Sequence, residues 1–444
     1  MTKRFGTGGP IGLVVLAAGL WACSGTEPEA GSASEAASVA APEPVPAALG
    51  GRPPGELPGI LMSQAQFKTG DDGKPRPGPA KLVLWRTDGK TWWSDVVEDV
   101  GANVFHKTID WRDGLLSISA GQLPVEGSPV PPAQLKHWTW DGTAWQGRVL
   151  WEKAWSGKFQ RMRDMELGDL DGDGKDEVAI ATHDSGVVAV VHEGADGTFK
   201  AMEMDEAVDT FVHEIEIGDV DHDGKKEFYC TPSARNKASG VSQPGAVARY
   251  DYVAGAYVRS WVVQWEESHA KEILVADVDG DGKDELYVVR EGHVEKSGKA
   301  KGPKTILKDP VHILRMEWTG KAYKEVSVAS LPDEKQTRFL LAGDVNHDGK
   351  TDLVAAAMDT GLWLLTRNDD GSFTPTVIDQ ASGGFEHATD IADLDGDGKV
   401  EIYVAADKQR EFRRYLWNGT SFDKTVIAPI PERHITWNLQ HGKF

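Results

Sequence analysis

One nine-residue pattern occurs five times in this chain and restricts its fold more than any other feature. It reads DLDGDGKDE at 169–177, DVDHDGKKE at 219–227, DVDGDGKDE at 277–285, DVNHDGKTD at 344–352 and DLDGDGKVE at 393–401. Side-chain oxygens stand at positions 1, 3, 5 and 9. These are Asp169, Asp171, Asp173 and Glu177; Asp219, Asp221, Asp223 and Glu227; Asp277, Asp279, Asp281 and Glu285; Asp344, Asn346, Asp348 and Asp352; Asp393, Asp395, Asp397 and Glu401. Alternate positions of a tight loop can converge on one hard cation, and glycine at position 6 permits the sharp turn. The main-chain carbonyl at position 7, of Lys175, Lys225, Lys283, Lys350 and Lys399, can complete the oxygen shell. The expected cofactor is Ca2+, at about five sites.

An EF-hand begins alike but needs glutamate at position 12 and a helix on either side. Position 12 here is Ile180, Cys230, Val288, Ala355 and Val404, all apolar. Each loop runs instead into a short apolar stretch (VAIAT, FYCT, LYVVR, LVAAA, IYVAA) with the content of a buried strand. A second periodicity spans more of the chain. Glycine followed by an aromatic recurs at Gly89/Trp92, Gly142/Trp145, Gly197/Phe199, Gly255/Tyr257, Gly320/Tyr323, Gly371/Phe373 and Gly419/Phe422, as hairpins would require. Strand-like segments precede the loops, and 104–111 and 433–439 keep that pattern without a loop. Residues 58–98 supply outer strands with no inner strand, and the C-terminus supplies an inner strand with no outer ones. The expectation is an all-β, seven-bladed β-propeller with four-stranded blades. Its ring closes by the C-terminal inner strand joining the N-terminal outer strands, which removes exposed edges.

The five loops resemble the calcium loops of FG-GAP/VCBS-repeat propellers, the class that includes the integrin α-subunit head. Phe-Gly and Gly-Ala-Pro signatures are missing from the repeats, so the likeness is to the bacterial VCBS branch. At the N-terminus, Lys3 and Arg4 precede an apolar run from Ile11 to Leu20, the length of a signal-peptide core. Leu20-Trp21-Ala22-Cys23 resembles a bacterial lipobox, which implies lipidation of Cys23 and attachment to the cell envelope. Ser24 in second place implies the outer membrane of a Gram-negative bacterium. The expected organisation is a signal peptide over 1–22, a lipidated cysteine and disordered linker over 23–57, and the propeller over 58–444.

A formal charge of −21 with no basic run excludes nucleic acid as a partner. Neither GxSxG nor HExxH occurs. The expected role is a binding or scaffold module, with an anionic small molecule, a saccharide or a protein as ligand. The alternative is a polysaccharide lyase or sugar dehydratase, which the resemblance to calcium-bearing enzyme propellers implies. Trp85, Trp92, Trp93, Trp138, Trp140 and Trp145 fit packing between blades better than sugar stacking. Two insertions, 235–245 and 295–308, read as long loops on the face away from the calcium.

One position carries a sharper expectation. Six residues before each loop, and at its equivalents elsewhere, stand His106, Arg163, His213, Lys271, Arg338, His387 and His434. Composition alone would make about one of seven basic. Six residues of strand place them roughly 20 Å from the loops, at the opposite channel mouth. Two readings stay open: a ligand-binding ring, its affinity falling as pH rises through about 6.5, or staples that pair with acids on neighbouring strands.

Overall fold

The computed structural model of the protein describes residues 49–444 except 52–54, 72, 122–129, 157–158, 235–241 and 298–303. The signal segment, Cys23 and the linker up to residue 48 lie outside the described residues. No α-helix occurs among the described residues, so none is long and apolar enough to cross a membrane.

Antiparallel pairing sorts the strands into four-stranded groups, lettered here A to G. Sheet A joins His434–Lys443 to Pro58–Thr69, Ala80–Thr87 and Trp92–Asp99. Sheet B holds Ala102–Trp111, Gly114–Gly121, Ala133–Trp140 and Trp145–Lys153. Sheet C holds Arg161–Gly168, Glu177–His183, Val188–Glu193 and Phe199–Met204. Sheet D holds Thr210–Gly218, Glu227–Ala234, Gly245–Val253 and Ala256–Trp265. Sheet E holds Ala270–Ala276, Glu285–Arg290, Val311–Trp318 and Tyr323–Leu331. Sheet F holds Thr337–Gly343, Asp352–Ala357, Leu362–Arg367 and Phe373–Asp379. Sheet G holds Thr389–Ala392, Glu401–Ala406, Glu411–Trp417 and Phe422–Pro429. Single bridges, Ala65 to Val104 and Arg161 to Ala120, also link A to B and B to C. The leading strand of each sheet touches that of the next, from B through G to His434–Lys443 of A and from there back to B.

The apolar second strands are buried on both faces because the gap on either side is a core. In sheet C, Val178 and Ile180 pack with Leu116 and Leu135 of sheet B, while Ala179 and Ala181 pack with Val212 and Phe228 of sheet D. Period-two alternation therefore feeds two neighbours at once, and the strand reads as a continuous apolar run. The seven hairpin glycines all have positive φ, between 74° and 97°, where a side chain would be strained. The aromatic that follows fills the gap toward the preceding sheet. Trp92 meets Tyr403 and Phe412 of sheet G, Phe199 meets Trp111 of sheet B, Tyr323 meets Tyr229 of sheet D, and Phe373 meets Tyr287 of sheet E.

The small residue before each loop has a steric cause. A Cβ on Gly168 would lie 3.0 Å from Ile217 of the next leading strand, and one on Gly343 would lie 3.1 Å from Ile391. Two sequence expectations need correction. Leu49–Gly50, at the end of the expected linker, pairs in parallel with Trp93 and Ser94 and covers the outer edge of sheet A. The insertion at 295–308 is in part a hairpin, His293–Ser297 against Lys304–Asp309, because its alternating residues can pair with each other once they leave sheet E. Its Val294 exchanges hydrogen bonds with Ser242 of the other insertion.

Candidate functional site

The five loops share one backbone path. Position 6 has φ of 84–86° in every loop, at Gly174, Gly224, Gly282, Gly349 and Gly398. Position 4 is also left-handed, at Gly172, Gly280 and Gly396 but equally at His222 (φ 59°) and His347 (φ 55°). This path turns main-chain N–H groups onto the first aspartate. Gly172 and Gly174 donate to Asp169 at 2.8 and 3.1 Å, and Gly280 and Gly282 donate to Asp277 at 2.8 and 2.9 Å. The ninth-position acid accepts the N–H of position 2, at 2.9 Å from Leu170 to Glu177 and 2.8 Å from Val278 to Glu285.

The loop carboxylates converge. Oxygens of Asp277, Asp279, Asp281 and Glu285 lie within 4.8 Å of one another, as do those of Asp169, Asp171 and Asp173 and those of Asp393, Asp395 and Asp397. Burial pushes the ninth-position carboxyls of Glu177, Glu227 and Glu285 up to about 7, and that of Asp352 up to about 6. Asp352 also buries Oδ2 without a hydrogen-bond partner. Clustered, partly desolvated oxygen donors of this kind fit a hard cation.

At the other end of the leading strands, the basic residues of the sequence divide. In sheets B to F the strand pairing slips at a β-bulge, at Phe105/Lys107, Met162/Asp164, Val212/Ile215, Ala270/Glu272 and Thr337/Phe339. The residues in those bulges include His106, Arg163, His213, Lys271 and Arg338, and a bulge re-aims its side chain. Lys271 Nζ lies 2.6 Å from His213 Nε2, and the His213 ring lies 5.2 Å from that of His183. Arg163 reaches Glu386 at 3.3 Å and Glu214 at 3.8 Å, and its guanidinium sits 5.5 Å from the Trp437 ring. Arg338 donates to the Phe385 carbonyl at 3.1 Å and reaches Glu291 at 3.7 Å. His106 packs edge-on to Trp437 at 4.7 Å, and both of its nitrogens are buried without partners.

His387 and His434 go elsewhere. Sheet G starts its leading strand only at Thr389, so His387 turns into the preceding loop, between Ser382 and the Ala357 carbonyl at 2.8 Å each. In sheet A the bulge skips Trp437, which takes the place expected of His434. His434 lies instead 3.4 Å from Lys81 Nζ. The acids one residue past the bulges act as staples: Asp164 accepts the N–H of Ile215 at 3.0 Å, and Glu272 that of Leu340 at 3.3 Å.

Over residues 169–230 and 344–404 the chain matches the FG-GAP-like repeat family. Three solved structures share its architecture. A protein from Lactobacillus plantarum is 14% identical, with a TM-score of 0.56 over 86% of this chain and 99% of that one. Candidate 6-phosphogluconolactonases from Bacteroides uniformis and Bacteroides fragilis are 13% and 12% identical, with TM-scores of 0.53 and 0.52. The first alignment covers 86% of this chain and 99% of that one, the second 87% and 98%. The chain carries FG-GAP-like repeats on a β-propeller fold. No curated protein matches it.

Sequence reasoning missed a second set of ionisable groups near the bulge residues. It comes from the far end of the second strands, six residues after the ninth loop position, where His183, Glu291 and Asp407 stand. The signal was available in the same repeat register. Burial pushes the Asp407 carboxyl up to about 8, with Glu386 adding to the shift, and pulls His183 and His269 down to about 3. Burial and the neighbouring Arg338 pull Lys271 down to about 7. The imidazoles of His183 and His269 are therefore neutral near pH 7, whereas Lys271 and Asp407 titrate close to it.

Proposed function

We propose that this protein is an exported, lipid-anchored propeller of seven blades, A to G, closed where His434–Lys443 pairs with Pro58–Thr69. Calcium held by loops on one face stiffens the blades, and a ligand binds at the channel mouth on the other. Convergent loop carboxylates with raised pKa values support the first half of this reading. The observation that carries the second is Lys271. It is buried, sits against the neutral His213, and has no carboxylate within 4.0 Å among the described residues. Arg163 and Arg338 already have Glu386 and Glu291, so Lys271 is the cation with charge to offer a ligand. A carboxylated or phosphorylated small molecule supplies the missing counter-charge.

The test is calorimetry with an oligouronate and with inorganic phosphate. Lys271→Met should abolish heat of binding for the anion that the wild type takes, with Tm and calcium uptake retained. Unchanged binding, or a wild type that takes neither anion, refutes the ligand reading. A lysine of lowered pKa beside an imidazole also has the character of a base, which keeps the lyase alternative in view. That alternative requires an unsaturated sugar product from an oligouronate, and none should form with Lys271→Met. For the anchor, Cys23→Ser should move the protein from the membrane fraction and remove a lipid mass shift; the same mass shift in both proteins overturns the assignment.

A further inference from the structure

We infer that the loop at 219–227 is closed by the protein's own guanidinium, that of Arg249, and takes no calcium ion. This rests on the calcium reading of the other loops. Arg249 stands on the third strand of sheet D and is 6% exposed. Its Nη2 lies 2.5 Å from Oδ2 of Asp221, the third-position ligand, and its Nη1 lies 3.7 Å from Oε1 of Glu227, the ninth. The same side chain donates from Nε to Asp251 at 2.9 Å and from Nη1 to the Tyr323 hydroxyl at 3.1 Å. Glu227 Oε1 also accepts the Val220 N–H at 3.0 Å and the Tyr229 hydroxyl.

No other loop is arranged this way among the described residues. At 169–177 the imidazole of His192 stands 3.5 Å from both Asp171 and Glu177, but an imidazole can be neutral whereas a guanidinium always carries its charge. On the matching strand of sheet E, Arg315 turns to Glu317 at 2.5 Å and leaves Asp279 without a basic partner. In sheet G, Arg414 approaches only Glu401, at 3.9 Å, and does not reach Asp395. In sheet F the third position is the uncharged Asn346.

Calcium takes about 6–8 oxygens, commonly with direct carboxylate bonds. At 219–227 two of those carboxylates are committed to a buried cation, and a dication beside it would meet like charge. Displacing Arg249 would leave its guanidinium buried and short of a partner, a costly arrangement. The contact also crosses from sheet D to sheet E through Tyr323, so it joins adjacent sheets as a bound metal would.

Equilibrium dialysis of the full chain against calcium, with native mass spectrometry for stoichiometry, tests this. The wild type should bind four ions, Asp221→Asn should still bind four, and Asp281→Asn should bind three. Arg249→Met should gain a fifth if it folds; if it does not, Asp221→Asn decides alone. Five ions in the wild type, falling to four in Asp221→Asn, overturns the inference while leaving the calcium reading intact. A wild type that binds none removes both.

Discussion

At the scale of single residues, the loops depend on backbone conformations that few side chains accept. Gly174 has φ of 85°, and a Cβ there would meet nothing within 4 Å. Any penalty for Gly174→Ala is therefore conformational, and we expect a loss of about 1 kcal/mol in urea unfolding at fixed calcium. No loss at all would contradict the assigned geometry. His387 carries a pH effect of definite sign. Burial holds it at about 4 against an ordinary 6.5, so between those values the unfolded chain binds a proton that the fold does not. Stability is full above 6.5 and declines as pH falls toward 4, by at most roughly 3 kcal/mol from this residue. His387→Gln should flatten that decline in urea midpoints taken at pH 7 and 4.5. Lys271 has the opposite consequence for binding: it is charged below about 7, so anion affinity should fall as pH rises through that value. The sequence had suggested histidines titrating at about 6.5; burial removes them from that role.

At the scale of elements, the hairpin aromatics Trp92, Phe199, Tyr323 and Phe373 each meet a ring of the preceding sheet. Phe373 is 5% exposed and lies 6.1 Å from the Tyr287 ring across the gap between sheets F and E. Phe373→Ala should cost about 3–5 kcal/mol in denaturant unfolding, the range for a truncated core aromatic. A cost below 1 kcal/mol would mean that the gap is not a packed core. The leading strands show a different economy. Their bulges send successive residues to different partners, so Arg163 reaches Glu386 while Asp164 staples sheet D.

At the scale of the whole molecule, the two ends of the described chain meet in sheet A. His434–Lys443 pairs with Pro58–Thr69 from Pro58 to Gln66, and the Phe444 carbonyl accepts a bond from the buried Arg86 at 2.7 Å. Deleting 434–444 should leave sheet A with an open inner edge and produce a chain that aggregates and unfolds without cooperativity. Two-state unfolding of the truncated chain would contradict this expectation. Calcium should act on the same scale. Each bound ion adds RT ln(1 + [Ca]/Kd), about 2.7 kcal/mol at a hundred times Kd, so excess EGTA should lower Tm markedly. An unchanged Tm would remove the calcium reading.

The repeat itself was legible in the chain: loop spacing, hairpin glycines and apolar second strands are local signals, set by turn geometry and by which faces a strand buries. Seven hairpin glycines and five position-6 glycines all take the left-handed conformation that their places in the pattern imply. What local signals do not encode is the direction of a side chain after a bulge, because a one-residue slip exchanges its faces. That is why Trp437 stands where His434 was expected; His387 turns into a loop because its leading strand starts only at Thr389. Partner choice among charges was equally out of reach. Arg249 and Asp221 are 28 residues apart along the chain, and only the pairing of the second and third strands of sheet D brings one to the other. Period and composition determined which residues the loops and strands contain; packing decided which of their charges were already spent.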